Sequence, residues 1–114
     1  MEYAELNVFL LENLKTSCIC HSKSSMAASV FYIKKKDSSL QLVQDYHALN
    51  SMTIKNQYSL LLISEIVSQL WEAKYFTKLN ICWGFNNVQI KPGDKWKAAF
   101  HTNRGLFEPL VMFF

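Results

Sequence analysis

No part of the chain says more about its architecture than Val30-Phe31-Tyr32-Ile33-Lys34-Lys35-Lys36-Asp37-Ser38-Ser39-Leu40-Gln41-Leu42-Val43-Gln44-Asp45. Val30 to Lys35 and Leu40 to Asp45 read as two strands, and the polar Lys36-Asp37-Ser38-Ser39 between them reads as the turn of a hairpin. Upstream, the serine-rich Thr16 to Ala28 reads as an extended connector. Before it, Tyr3 to Lys15 places Leu6, Phe9, Leu10 and Leu14 at helical spacing, which predicts a short amphipathic helix. Downstream of the hairpin, Ala48 to Tyr58 has no clear period. Leu60 to Glu72 then puts Ile63, Ile66, Val67 and Leu70 on one face, with Ser59 placed to cap the helix. Tyr75 to Leu79 and Val88 to Ile90 read as strands around a short turn or helix at Trp83 to Asn87, with Tyr75 to Leu79 as a central strand. Lys97 to Thr102 and Phe107 to Met112 read as a further pair turning at Asn103-Arg104-Gly105. Strands and helices mix without a regular βαβ rhythm, so the expected class is α+β.

The bulk properties narrow the field. A chain of 114 residues holds one domain at most and can bury a core. It is 50% hydrophobic and 18% charged, which argues against disorder. It has no apolar run of the ~18 residues that a membrane helix needs, so no membrane partner is expected. The N-terminus carries Glu2 and Glu5 and no basic segment ahead of an apolar one, so no signal peptide is expected. The net charge of +3 is compatible with a nucleic-acid partner without identifying one. Cys18-Ile19-Cys20-His21 does not match zinc-knuckle spacing and has no second pair nearby. Cys18, Cys20 and Cys82 therefore read as reduced thiols of an intracellular protein, and no metal site is expected from them.

Tyr75-Phe76-Thr77-Lys78-Leu79-Asn80-Ile81 delivers a short polar residue after an apolar run, and Phe85 and Val88-Gln89-Ile90 follow. These residues, the hairpin with Tyr46-His47-Ala48-Leu49-Asn50 after it, Thr53-Ile54-Lys55-Asn56-Gln57-Tyr58, Trp96-Lys97-Ala98-Ala99-Phe100 and Gly105-Leu106-Phe107-Glu108 are blocks in a set order. In order and spacing they resemble the reverse transcriptase of gypsy-type LTR retrotransposons, from about Glu5 to the last residue. The resemblance implies a fingers hairpin and part of an antiparallel palm with flanking helices. It divides the chain into an N-terminal helix and connector, residues 1–28, and a partial fingers/palm domain, residues 29–114.

The family's activity is templated DNA synthesis by two-metal nucleotidyl transfer, in which two Mg²⁺ ions about 3.5–4 Å apart clamp the attacking and leaving oxygens. Mg²⁺ prefers anionic oxygens. The family supplies them as an aspartate at the end of the strand matching Tyr75 to Leu79 and a Tyr-x-Asp-Asp hairpin further on. Here the first position is Asn80, and the sequence given ends at Phe114 ahead of where that hairpin falls. Asparagine offers a neutral carbonyl oxygen. The resemblance thus implies a truncated and catalytically silent fragment that holds no metal. Lys34, Lys35 and Lys36 fall where the family contacts phosphate, and Gln41 stands where it has a triphosphate-binding arginine. Glutamine lacks the charged fork of arginine. Phe85 falls where the family places the aromatic that excludes a 2′-hydroxyl. Glycines and prolines of the family are also replaced: Ser59 and Leu61 stand at proline positions, and Ser38-Ser39 spans a glycine position.

Three functions compete. The first is a dead reverse transcriptase fragment. The second is a nucleic-acid or protein binding module reusing the surface that carries Lys34, Lys35, Lys36, Lys55 and Arg104. The third is a polymerase completed by another chain, disfavoured because Asn80 would stay in its site. The expected partner is a template-primer, bound weakly.

Overall fold

The structure is a computed structural model, and it describes residues 2–113. The chain divides into two units: one runs to Met52 and resumes at Trp83, and the other is Thr53–Cys82.

The first unit opens with helix α1, Glu2–Lys15. The predicted face is the one it buries: Leu6 and Leu10 are core residues, and Phe9 and Leu14 pack beside them. Ser17 ends the helix in the left-handed region at φ 56°. The Cys18 amide bonds the Asn13 carbonyl at 2.9 Å and the Ser17 amide bonds that of Leu14 at 3.2 Å. This paired closure is the one helices commonly make around a C-terminal glycine.

The serine-rich connector is not uniformly extended coil. It contains strand β1, Ile19–His21. Strand β5, Gly105–Pro109, pairs antiparallel with β1 on one side and with β4, Phe100–Thr102, on the other. Ile19 sits opposite Pro109 and Phe100 opposite Phe107. Ile19, Phe100 and Phe107 are almost fully buried and join Leu6 and Leu10 in one cluster. The Phe100 and Phe107 rings stack with centroids 6.0 Å apart. Only one apolar residue marks β1, so its strand character comes from its partner and could not be read from a local period.

The predicted hairpin forms as β2, Val30–Lys34, and β3, Leu40–Gln44. Val30, Tyr32 and Leu42 pack on the same core. Bonds from the Ala28 amide to the Ala99 carbonyl and from the His101 amide to the Ala28 carbonyl tie the start of the hairpin to β4. Helix α2, His47–Met52, occupies the start of the stretch that lacked a period. Val88 to Ile90 is not a strand but makes a single bridge, Gln89 to Val111, next to a 3-10 turn at Gly84–Asn87. A second 3-10 turn, Lys95–Ala98, precedes β4, so that strand is shorter than the predicted Lys97 to Thr102.

The second unit contains helix α3, Ile63–Leu70. It starts later than the predicted Leu60, and Ser59 does not cap it. Leu62 holds the cap position with an extended backbone and no side-chain hydrogen bond, leaving the first-turn amides without that acceptor. Tyr75 to Leu79 is not a strand. A strand exists only where a neighbour completes its ladder, and no strand occurs between Thr53 and Cys82. Among the described residues, the class is α+β with antiparallel sheets and flanking helices.

Candidate nucleic-acid interface

The hairpin tip presents the lysines. Lys34 is the last residue of β2, opposite Leu40, and Lys35 and Lys36 lie in the turn. The Lys35 amide donates to the Ser39 carbonyl at 2.8 Å, and the Ser38 amide donates to the Lys35 carbonyl at 3.0 Å. Asp37 Oδ1 accepts from the Ser39 hydroxyl at 2.6 Å and from the Ser39 amide at 3.0 Å. These two bonds, the hydroxyl's first, hold the Asp37 carboxyl below the usual range, with Lys35 nearby adding to the effect. Ser38 takes φ 66°, the left-handed conformation that favours glycine. Lys34, Lys35 and Lys36 are exposed, and none makes a salt bridge within the described residues.

Gln41 is placed differently. It pairs with Ile33 in the hairpin and lines an apolar cavity of about 290 Å³ with Phe9, Val30, Leu42, Tyr46 and Phe113. Phe9 and Phe113 meet edge-on there at 5.8 Å. Burial pushes the Tyr46 phenol up, against a weaker opposing hydrogen bond from the Phe113 backbone. Phe85 lies in the 3-10 turn and is half-exposed. Asn80 belongs to the Thr53–Cys82 unit and is exposed, after a segment without strand pairing. The structure therefore brings the lysines together at one tip and holds Gln41 further along the same hairpin. Among the described residues, no group of three or more His, Cys, Asp or Glu side chains could hold a metal.

Asp45 sits at the end of the hairpin arm. Its Oδ1 accepts the His47 amide at 2.9 Å and lies 2.6 Å from His47 Nδ1. The amide bond first, then the ring, keeps this carboxylate below its ordinary range.

Sequence reasoning passed over a second basic cluster. Lys91, Lys95 and Lys97 flank Trp96 in the chain, with Lys97 Nζ 2.6 Å from Asp94 Oδ1 and over the Trp96 ring, 5.7 Å from its centroid. The alternation of lysine with an aromatic in Lys91-Pro92-Gly93-Asp94-Lys95-Trp96-Lys97 was the available signal.

Over 107 residues, 94% of its length, the chain is 35% identical to the transposon Tf2-3 and Tf2-4 polyproteins of Schizosaccharomyces pombe. The chain is homologous to Tf2 transposon polyproteins. It spans only 8% of those polyproteins. No family model matches it. The fold resembles a crystal structure of a prototype foamy virus protease–reverse transcriptase, a CSH mutant, with a TM-score of 0.69 and 23% identity. That match covers 95% of this chain and 15% of the viral one.

Proposed function

We propose that the chain is a fingers and partial palm segment of a gypsy-type retrotransposon reverse transcriptase. On this reading it is catalytically silent and keeps a weak hold on nucleic acid through the hairpin tip. The observation that carries the proposal is the fold likeness to a protease–reverse transcriptase over 95% of the chain. The match to Tf2 polyproteins over 94% of the chain supports it. The sequence blocks supply the finer assignment. Lys34, Lys35 and Lys36 point to phosphate contact, since three exposed ammonium groups on one turn release counterions when they meet a backbone.

The silence follows from charge. Phosphoryl transfer is almost wholly positioning and electrostatic stabilisation. Asn80 stands where the family has a carboxylate. Gln41 has no charged bidentate fork with which to clamp a triphosphate. The test is primer extension with the purified chain, Mg²⁺ or Mn²⁺ and a labelled template-primer. We expect no product, and none from Asn80→Asp alone. A template-dependent product abolished by chelator would overturn the reading.

A non-catalytic binding role in its own right is favoured by the same exposed tip. Titrating labelled template-primer tests both. Affinity should fall steeply with salt and should drop when the three lysines become alanine. Binding indifferent to salt contradicts the assignment of the tip.

A further inference from the structure

We infer that the apolar cavity bounded by α1, the hairpin and Phe113 is a binding site for a small, neutral aromatic molecule. The ligand has the size of two fused rings and carries one hydrogen-bond acceptor. The cavity lies wholly within the first unit. Phe9, Phe100 and Phe113 line it, and Val30, Leu42 and Val43 add aliphatic wall. The aromatic walls are held in place: Phe9 meets Phe113 edge-on at 5.8 Å, and Phe100 is buried and stacks on Phe107 at 6.0 Å. The volume of about 290 Å³ is roughly twice that of the ~150 Å³ apolar cavity that stays dry and takes one benzene. A second ring therefore fits, and ring faces and edges gain from such walls beyond the area they bury. Among the described residues that line the cavity, none is charged. A phosphate or carboxylate would be buried there without a counter-charge, which excludes a nucleotide as the occupant.

The polar residues of the lining are Gln41, Gln44 and Tyr46. Gln44 Nε2 is committed to the Ala98 carbonyl at 2.6 Å, and Gln41 has a partner as well. Tyr46 differs. Its bond from the Phe113 backbone favours the phenolate, so it runs from an N–H to the phenol oxygen and leaves the phenol proton unused. Among the described residues no group accepts that proton. Burial pushes the phenol up, so the hydroxyl keeps its proton at neutral pH. A single hydroxyl with a proton to give, in a wall otherwise apolar, orients a ligand that brings an uncharged acceptor, such as a ring nitrogen or a carbonyl.

The test sets two probes of one shape, quinoline and naphthalene, against the full chain at neutral pH. They differ in a single ring nitrogen. Equilibrium dialysis gives the affinities, and methyl NMR locates the probes. We expect saturable binding that shifts the methyls of Val30, Leu42 and Val43 and leaves those of Ile63, Ile66 and Val67, exposed on α3, unmoved. Tyr46→Phe keeps the ring and removes the donor. It should leave naphthalene unchanged and weaken quinoline about fivefold, the worth of one hydrogen bond. A readout on the unaltered chain stands beside the variant: the Tyr46 ring resonances should shift further with quinoline than with naphthalene. Absence of saturable binding overturns the inference, as do shifts that fall equally on the α3 methyls. Equal shifts of the Tyr46 ring with the two probes remove the hydroxyl from the site. Deoxythymidine triphosphate that binds at these methyls more tightly than quinoline would make the cavity a nucleotide site and overturn the inference too. None of these outcomes bears on the lysine tip, whose affinity for template-primer is read separately.

Discussion

The two units spend similar apolar material to opposite effect. In the first, Leu6, Leu10, Ile19, Phe100 and Phe107 come from segments far apart in sequence and close into one buried cluster. In the second, Ile63, Ile66, Val67 and Leu70 form the most regular apolar stripe in the chain, yet no residue of α3 is buried. Leu60, Trp71 and Tyr75 are at least four-fifths exposed. The difference is partnership. The ladders of β1, β4 and β5 bring distant side chains onto one face, whereas a helix of eight residues has a stripe and nothing within its unit to bury it against. Isolated helices this short are marginal in water, since most helical stability in proteins comes from packing.

The largest effect should therefore come from the core. Phe107→Ala deletes a buried ring that packs on Phe100, and we expect a loss of about 3–5 kcal/mol, a large share of the stability of a domain this size. Ile66→Ala on α3 removes a side chain that is 43% exposed and should change global stability by less than about 0.5 kcal/mol. Urea unfolding of both variants measures the contrast. Equal losses would show that α3 is packed as tightly as the sheet and would break the comparison.

How much was legible in the sequence follows the same line. The α1 face and the hairpin were readable because their periods are local and their burial is real. Their lysine tip was readable too. The strand β1 was invisible, since a three-residue strand with one buried apolar residue has no period, only a partner 88 residues away, Glu108 opposite Cys20. Tyr75 to Leu79 erred the other way: its composition suits a strand, but composition supplies no ladder. The Ser59 cap failed because α3 begins beyond it, at Ile63. Of the candidate site residues, the sequence showed which types were present. The placement of Gln41 against an apolar cavity depended on packing between α1, β3 and Phe113 that no local pattern carries.

A smaller pair of substitutions sharpens the contrast. Ser38→Gly relieves a left-handed serine at the hairpin turn and should raise global stability by about 1 kcal/mol, seen as a higher urea midpoint. Leu62→Ser supplies the missing side-chain acceptor at the N-cap of α3, a change worth about 1 kcal/mol to that helix. Because no residue of α3 is buried, the gain should appear as more helical circular dichroism with an unchanged urea midpoint. Hydrogen exchange provides the check: amides of β5 should be protected and those of α3 should exchange close to the intrinsic rate. A midpoint that rises with Leu62→Ser would show the helix sharing in global cooperativity.

The smallest effect is a difference between two thiols. Cys20 is partly buried in the first unit, with its Sγ 3.7 Å from Glu108 Oε1. Burial raises its pKa, the Glu108 charge and hydrogen bond raise it further, and Lys95 pulls it back somewhat. Cys82 is exposed in the second unit. The thiolate is the reactive form, so at pH 8 iodoacetamide should label Cys82 well before Cys20. Glu108→Gln removes the repelling charge and should speed labelling of Cys20, whereas Lys95→Ala should slow it, and neither should change Cys82. The native state prefers the protonated Cys20 thiol. Its contribution to stability is therefore complete below the unfolded thiol pKa of about 8.5 and is lost as pH rises through the higher folded value. Rates for Cys20 and Cys82 that match at pH 8, and stay matched in Glu108→Gln, would mean the first unit shields its thiol no better than the second.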